Sequence, residues 1–98
     1  MERLSDQQKD LEVSKLDDWK LEDDKWIVKR YRFRRYLSGI HFVEQVAEYA
    51  EEIQHHPLIH IDYKVVTMKL TSWNAKGLTD LDIRSAEEYD RIFGKIRE

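Results

Sequence analysis

In residues 51–70, EEIQHHPLIHIDYKVVTMKL, the spacing of apolar residues changes from one typical of a helix to the alternation typical of a strand. From about Arg35 to Pro57, apolar residues recur at steps of three and four, which predicts a helix. Its predicted buried stripe is Tyr36, Ile40, Val43, Ala47 and Ala50. Pro57 is expected to end this helix, because the residue before a proline avoids the α conformation. Beyond Pro57, alternate residues are apolar, which predicts two strands that meet near Lys64.

Capping signals predict two further helices. Ser5 begins a capping box, so we expect a short helix over residues 6–14, with Leu11 as its clearest apolar position. Thr79 is expected to cap a last helix in which Asp82 occupies the third position.

Residues 19–21 and 26–33 predict two strands joined by a tight acidic turn. The resulting order, α-β-β-α-β-β-α, predicts a two-layer α+β domain over residues 1–98, in which a four-stranded antiparallel sheet carries the helices on one face. A chain this short buries only roughly 60–65% of its unfolded surface, and a four-stranded sheet leaves two edges to protect. We therefore expect a homo-oligomer.

The composition excludes several classes of function. Hydrophobic residues make up 41% and charged residues 38% of the chain, which is typical of a folded globular protein. A net charge of −3 argues against nonspecific nucleic-acid binding, and the absence of cysteine excludes disulfides and thiolate metal sites. The sequence shows neither the apolar stretch of a signal peptide nor the ~20 apolar residues of a membrane span. We expect a cytoplasmic protein with no nucleic-acid or membrane partner.

The adjacent histidines His55 and His56, followed by Pro57, are the main candidates for chemistry. Imidazoles titrate near neutral pH, so such a pair can donate and accept protons in a single turnover. Glu51 lies four residues before His55, so we expect it to orient that ring; an ordinary ion pair at a helix end is the structural alternative. Neighbouring histidines rarely chelate one ion well, so we expect no metal site.

Three downstream residues have structural explanations when each is taken singly. Tyr63 lies on the apolar side of its strand, and Trp73 ends a strand before a loop, so both fit a core or an interface. Asp82 fits the capping box of the last helix. Their spacing from the histidine pair is the reason to count them as candidate site residues.

The chain resembles the pterin-4a-carbinolamine dehydratases over nearly its whole length. The resemblance rests on Glu51-x3-His55-His56-Pro57, followed by Tyr63, Trp73 and Asp82 at spacings of five, nine and eight intervening residues. Trp19, the hairpin that ends in Phe33, and the stretch WNAKGL at residues 73–78 add to it.

The resemblance implies a fold of the same order, assembled as a homodimer or homotetramer, and a hydro-lyase that needs neither metal nor cofactor. The implied substrate is 4a-hydroxytetrahydrobiopterin, which loses water to give quinonoid dihydropterin in tetrahydropterin recycling. It assigns His55 and His56 as the catalytic acid and base. The implied substrate-binding residues are Glu51, Pro57, Tyr63, Thr71, Ser72, Trp73 and Asp82.

One departure concerns Trp73: many relatives carry a third histidine at this position, although tryptophan also occurs there in the family pattern. An indole N–H can donate a hydrogen bond but cannot exchange protons near pH 7. Two other functions stay open on the same fold: pterin binding without efficient turnover, and a non-catalytic role as a protein-dimerisation cofactor, which members of the family in animals perform.

Overall fold

The computed structural model describes residues 2–98, which contain three α-helices and four strands in the predicted order. The elements are α1 (Asp6–Ser14), β1 (Lys20–Glu22), β2 (Trp26–Arg32), α2 (Tyr36–Ile53), β3 (Leu58–Asp62), β4 (Val65–Leu70) and α3 (Asp80–Gly94). Capping boxes at Ser5 and Thr79 are present, as predicted. Within these residues, no helix combines the length and the apolar character that a membrane crossing requires.

The four strands form one antiparallel sheet in the order β1-β2-β4-β3, which confirms the predicted α+β fold. The central strands β2 and β4 pair with Ile27 opposite Leu70. Val66, Met68 and Leu70 alternate along β4 and are fully buried, because successive side chains of a strand point to opposite faces and the helices cover one of them.

The buried stripe of α2 differs from the predicted one. Phe42 and Val46 are fully buried, whereas the predicted Tyr36 and Ala47 are exposed, so that prediction was wrong at these two positions. Both stripes have three- and four-residue steps, and periodicity alone does not separate them. The ring of Phe42 packs with its centroid 4.6 Å from that of Tyr31, and this contact with the sheet orients the helix.

The end of α2 also differs from the prediction, since the helix ends at Ile53 rather than at Pro57. Gln54 adopts the left-handed conformation with φ 54°, and the backbone N–H of His55 donates to the Ala50 carbonyl at 3.0 Å. A left-handed residue closes many helices in this way by satisfying the last carbonyls. The histidine pair therefore lies in irregular chain between the helix and β3.

The short helix α1 turns a different side to the core than predicted. Leu11 is 55% exposed, whereas Val13 and the stem of Lys9 are buried. The Lys9 ammonium lies 3.2 Å from the Asp6 carboxylate and 3.4 Å from that of Asp24, and these partners allow a charged residue to occupy a buried position.

The edge strand β3 is exposed along its whole length, although alternation predicts one buried side. Ile59 and Ile61 pair with Met68 and Val66, so they lie on the core face of the sheet, but both side chains remain exposed. The apolar face of the sheet thus continues uncovered to this edge.

Two truncations test the orientation of the helices. We expect Phe42→Ala to lower the free energy of unfolding by about 3–5 kcal/mol, because it removes a fully buried ring. Leu11→Ala, at an exposed apolar position, should change it by less than about 0.5 kcal/mol. Urea denaturation measures both values, and similar losses in the two variants would contradict the packing described.

Candidate active site

A hollow of about 560 Å³ lies at one end of the sheet, where the chain after α2, the loop after β4 and the start of α3 meet. The loop folds back on itself, since the Ser72 N–H donates to the Gly77 carbonyl at 3.0 Å and the Gly77 N–H donates to the Ser72 carbonyl at 3.3 Å. The lining residues are Gln54, His55, His56, Thr71, Ser72, Trp73, Asn74, Ala75, Thr79 and Leu81.

The carboxylate of Asp82 lies fully buried beneath this hollow. One oxygen, Oδ2, accepts the Thr79 backbone N–H at 2.9 Å and the Ser72 hydroxyl at 2.7 Å. The other oxygen, Oδ1, lies 2.6 Å from Nε2 of His55. Asp82 thus completes the capping box of α3 and also binds a histidine of the hollow.

The hydrogen bond to Asp82 assigns the proton positions of His55. An ionised carboxylate only accepts hydrogen bonds, so Nε2 is the donor. In the neutral ring the lone pair is then on Nδ1, which is free to accept a proton. The side chain of His55 is 12% exposed, so its ring is held in the wall of the hollow.

His56 occupies a different environment, with both its ring and its carboxylate partner open to solvent. Its Nε2 lies 2.7 Å from Oε1 of Glu51. The sequence-based pairing of Glu51 with His55 was therefore wrong. The pairing of Glu51 with His55 would require the helix to continue to residue 55. Because α2 ends at Ile53, His56 lies next to Glu51 instead.

The remaining candidate residues divide between the hollow and other places. Thr71 and Trp73 line the hollow, and Trp73 is 71% exposed. Pro57 follows the histidine pair but is not among the lining residues. Tyr63 lies in the turn between β3 and β4, five residues along an extended strand from the pocket end, or roughly 17 Å. There its ring packs against Tyr36, and the structure does not bring it to the hollow of its own chain.

Two buried tyrosines of the core, Tyr89 and Tyr31, have pKa values raised above that of an exposed tyrosine. Burial raises the pKa of Tyr89 above its ordinary value, and the neighbouring Tyr49 and Asp82 raise it further. Burial likewise raises the pKa of Tyr31, with a contribution from its hydrogen bond to Asp90. His55 and His56 are the two histidines that line the hollow.

Sequence reasoning missed several lining residues, among them Gln54, Asn74 and Leu81. Gln54 reaches the hollow because it leaves the helix in the left-handed conformation, and its residue type gives little sign of this. The predicted capping box at Thr79 already indicated a second contact for Asp82. One oxygen of its carboxylate completes the cap, and the other can accept a hydrogen bond from another donor.

The family model described as pterin 4 alpha carbinolamine dehydratase matches residues 2–92. The chain belongs to this family. A relative from Mycobacterium leprae, which carries the provisional name of a pterin-4-alpha-carbinolamine dehydratase, is 41% identical over 91 residues, covering 93% of this chain and 96% of the relative.

Two solved structures have a similar fold. A crystal structure of a transcriptional coactivator/pterin dehydratase from Brucella melitensis has a TM-score of 0.89 and 29% identity, and covers 94% of this chain and 99% of that one. A pterin dehydratase-like protein, identified as a RuBisCO assembly factor in the alpha-carboxysome, has a TM-score of 0.69 and 21% identity, covering 80% and 92%. The second likeness concerns the fold alone.

The cap that positions Asp82 can be tested without an activity assay. Thr79→Val keeps the size of the buried side chain but removes the hydroxyl that accepts the Leu81 N–H, so we expect a loss of about 0.5–2 kcal/mol in the free energy of unfolding. Thr67→Val makes the same change on the open face of β4 and should alter stability by less than about 0.5 kcal/mol. Equal effects in urea denaturation would contradict the role of the cap.

Proposed function

We propose that the protein is a hydro-lyase that converts 4a-hydroxytetrahydrobiopterin into quinonoid dihydropterin and water. The observation that carries the proposal is the pair of adjacent histidines at one hollow, each bonded to its own carboxylate. Membership of the pterin-4a-carbinolamine dehydratase family supports the substrate class.

The reaction needs one proton donor and one proton acceptor. The N5 lone pair of the pterin forms the N5–C4a double bond while the bond from C4a to the hydroxyl oxygen breaks. An imidazolium protonates the departing oxygen, and a neutral imidazole removes the proton from N5, so that water and the quinonoid product result. General acid–base catalysis of this kind contributes about 10²–10⁴ in rate.

His55 and His56 take these two roles in the proposal. Asp82 holds the ring of His55 in a fixed orientation, and Glu51 holds that of His56 at the solvent side. A held ring favours catalysis because reacting groups that are already oriented avoid an entropic cost. Trp73 borders the pterin as an exposed aromatic surface, and its indole N–H can donate a hydrogen bond but cannot exchange protons.

The proposed assembly is a homo-oligomer that covers the edge of β3. Ile59 and Ile61 extend the apolar core face to this edge, with Leu58 beside them on the opposite face. An exposed apolar edge strand is a surface that proteins usually pair or cover. A second copy of the chain is the proposed cover.

A second candidate function is a partner-binding role without turnover, either with a bound pterin or as a dimerisation cofactor. The similar protein from Brucella melitensis is described both as a transcriptional coactivator and as a pterin dehydratase. The uncovered edge of β3 provides a surface for such a partner. This function requires no proton transfer, so it predicts that loss of either histidine leaves partner binding intact.

Alanine variants of the two histidines test the dehydratase proposal. His55→Ala and His56→Ala should each lower the rate of dehydration at least about tenfold, because each removes a proton-transfer group. His41→Ala removes an exposed histidine of α2 outside the hollow and should retain the parent rate. Stopped-flow kinetics with synthetic 4a-hydroxytetrahydropterin gives the rates, and values within a factor of two of the parent would refute the assigned roles.

The assembly is tested by light scattering at micromolar concentration. We expect the parent to be a dimer or larger, and Ile61→Lys to shift it towards the monomer by placing a charge on the apolar edge. Leu11→Lys adds the same charge at an exposed apolar position of α1 and should leave the assembly unchanged. A monomeric parent protein would contradict the proposal.

A further inference from the structure

A second hollow of about 230 Å³ adjoins the first on the far side of Trp73. It is lined by Lys25, Trp26, Thr71, Ser72, Trp73 and Lys76. Three of these residues, Thr71, Ser72 and Trp73, line both hollows. An elongated molecule with one end beside the histidines can therefore place its other end between the two lysines.

The second hollow is built by contacts between separate parts of the chain. The Thr71 hydroxyl donates to the Lys25 carbonyl at 2.5 Å, which ties the loop after β4 to the turn before β2. The rings of Trp26 and Trp73 meet edge to face with centroids 5.2 Å apart. The Lys69 ammonium lies 5.1 Å from the centre of the Trp26 ring, a cation–π contact that helps to hold the indole.

The charge of this hollow is positive on a protein whose net charge is −3. Lys25 and Lys76 are its charged lining residues, and within residues 2–98 neither has a carboxylate at ion-pair distance. Two nearby carboxylates already have other partners: Glu22 lies 2.7 Å from the Lys69 ammonium, and Asp24 binds the ammonium of Lys9. The two lysines are thus available to bind an external anion.

We propose that this hollow is a subsite for a negatively charged substituent on the pterin ring. The ring occupies the histidine hollow, and a side chain at its C6 position passes Trp73 to place a phosphate or carboxylate group between Lys25 and Lys76. This inference rests on the proposed function, because it assumes that the first hollow binds a pterin. It extends the ligands of the site from 4a-hydroxytetrahydrobiopterin to pterins whose side chain carries an anion.

The uncharged residues between the two hollows suit the part of the C6 side chain that links the pterin ring to its anionic group. Thr71 and Ser72 carry hydroxyl groups at the boundary between the hollows, and the exposed indole of Trp73 offers an aromatic surface there. Lysine binds phosphate and carboxylate as a flexible point charge, so the subsite selects charge more strongly than the shape of the anion.

Calorimetric titration with three stable pterins tests the subsite. The probes are 6-hydroxymethylpterin, which has a neutral side chain, its phosphate ester, and 6-carboxypterin, whose carboxylate lies directly on the ring. Exposed ion pairs are individually weak, so we expect the phosphate ester to bind about threefold to tenfold more tightly than the neutral pterin. The advantage of 6-carboxypterin should be smaller, because its anion does not reach past Trp73.

The double variant Lys25→Gln, Lys76→Gln should reduce the preference for the phosphate ester to less than about twofold, while its affinity for 6-hydroxymethylpterin stays at the parent value. The matched control is Lys15→Gln, Lys95→Gln, which removes the same charge at the ends of α1 and α3 and should keep the preference.

Each other outcome overturns the assignment in a distinguishable way. Equal affinity of the parent for the neutral and phosphorylated pterins would refute the subsite while leaving the pterin site intact. A preference that survives in the double variant would show that other residues bind the anion. If none of the three pterins binds, the proposed function fails, and the subsite fails with it.

Discussion

The buried carboxylate of Asp82 connects the fold to the candidate chemistry. Its two oxygens join the start of α3, the hydroxyl of Ser72 and the ring of His55. A buried charge is costly unless hydrogen bonds satisfy it, so these donors stabilise the native state only as a set. Because α3 begins at the Thr79 cap, the position of the His55 ring, a proposed proton-transfer group, depends on where this helix begins. Asp82 thus links the start of α3 to the geometry of the candidate site.

Capping residues in the sequence predicted where two helices begin. The end of α2 and its buried face depend on tertiary structure, and the sequence did not predict them correctly. The caps at Ser5 and Thr79 act within a few residues, so the sequence alone locates them. The end of α2 depends on a left-handed Gln54, and the nearby Pro57 led to a boundary that was too late. The choice of Phe42 over Tyr36 as a core residue follows from contact with the sheet, which periodicity does not describe.

The spacing pattern indicated the histidine pair, but not which carboxylate binds which ring. The contact of His55 with Asp82 spans 27 residues, and Glu51 reaches His56 only because the helix ends between them. The two imidazoles consequently lie in different environments, one in the wall of the hollow and one at its solvent side. An acid and a base of the same residue type need such a difference to divide the two proton transfers. The spacing of residues in the sequence did not predict the second hollow beyond Trp73. Its lining residues come from the turn before β2 and the loop after β4, which are far apart along the chain.

The most direct test of this account is the dehydration rate of Asp82→Asn, compared with Glu51→Gln and the parent by stopped-flow. Asparagine keeps the size of the side chain and an oxygen for the Thr79 N–H, but it removes the charge that faces His55. We expect a folded variant at least about tenfold slower than the parent, and a smaller loss in Glu51→Gln, whose ion pair is exposed. A folded Asp82→Asn protein that dehydrates the pterin at the parent rate would contradict the claim that this buried carboxylate positions a catalytic histidine.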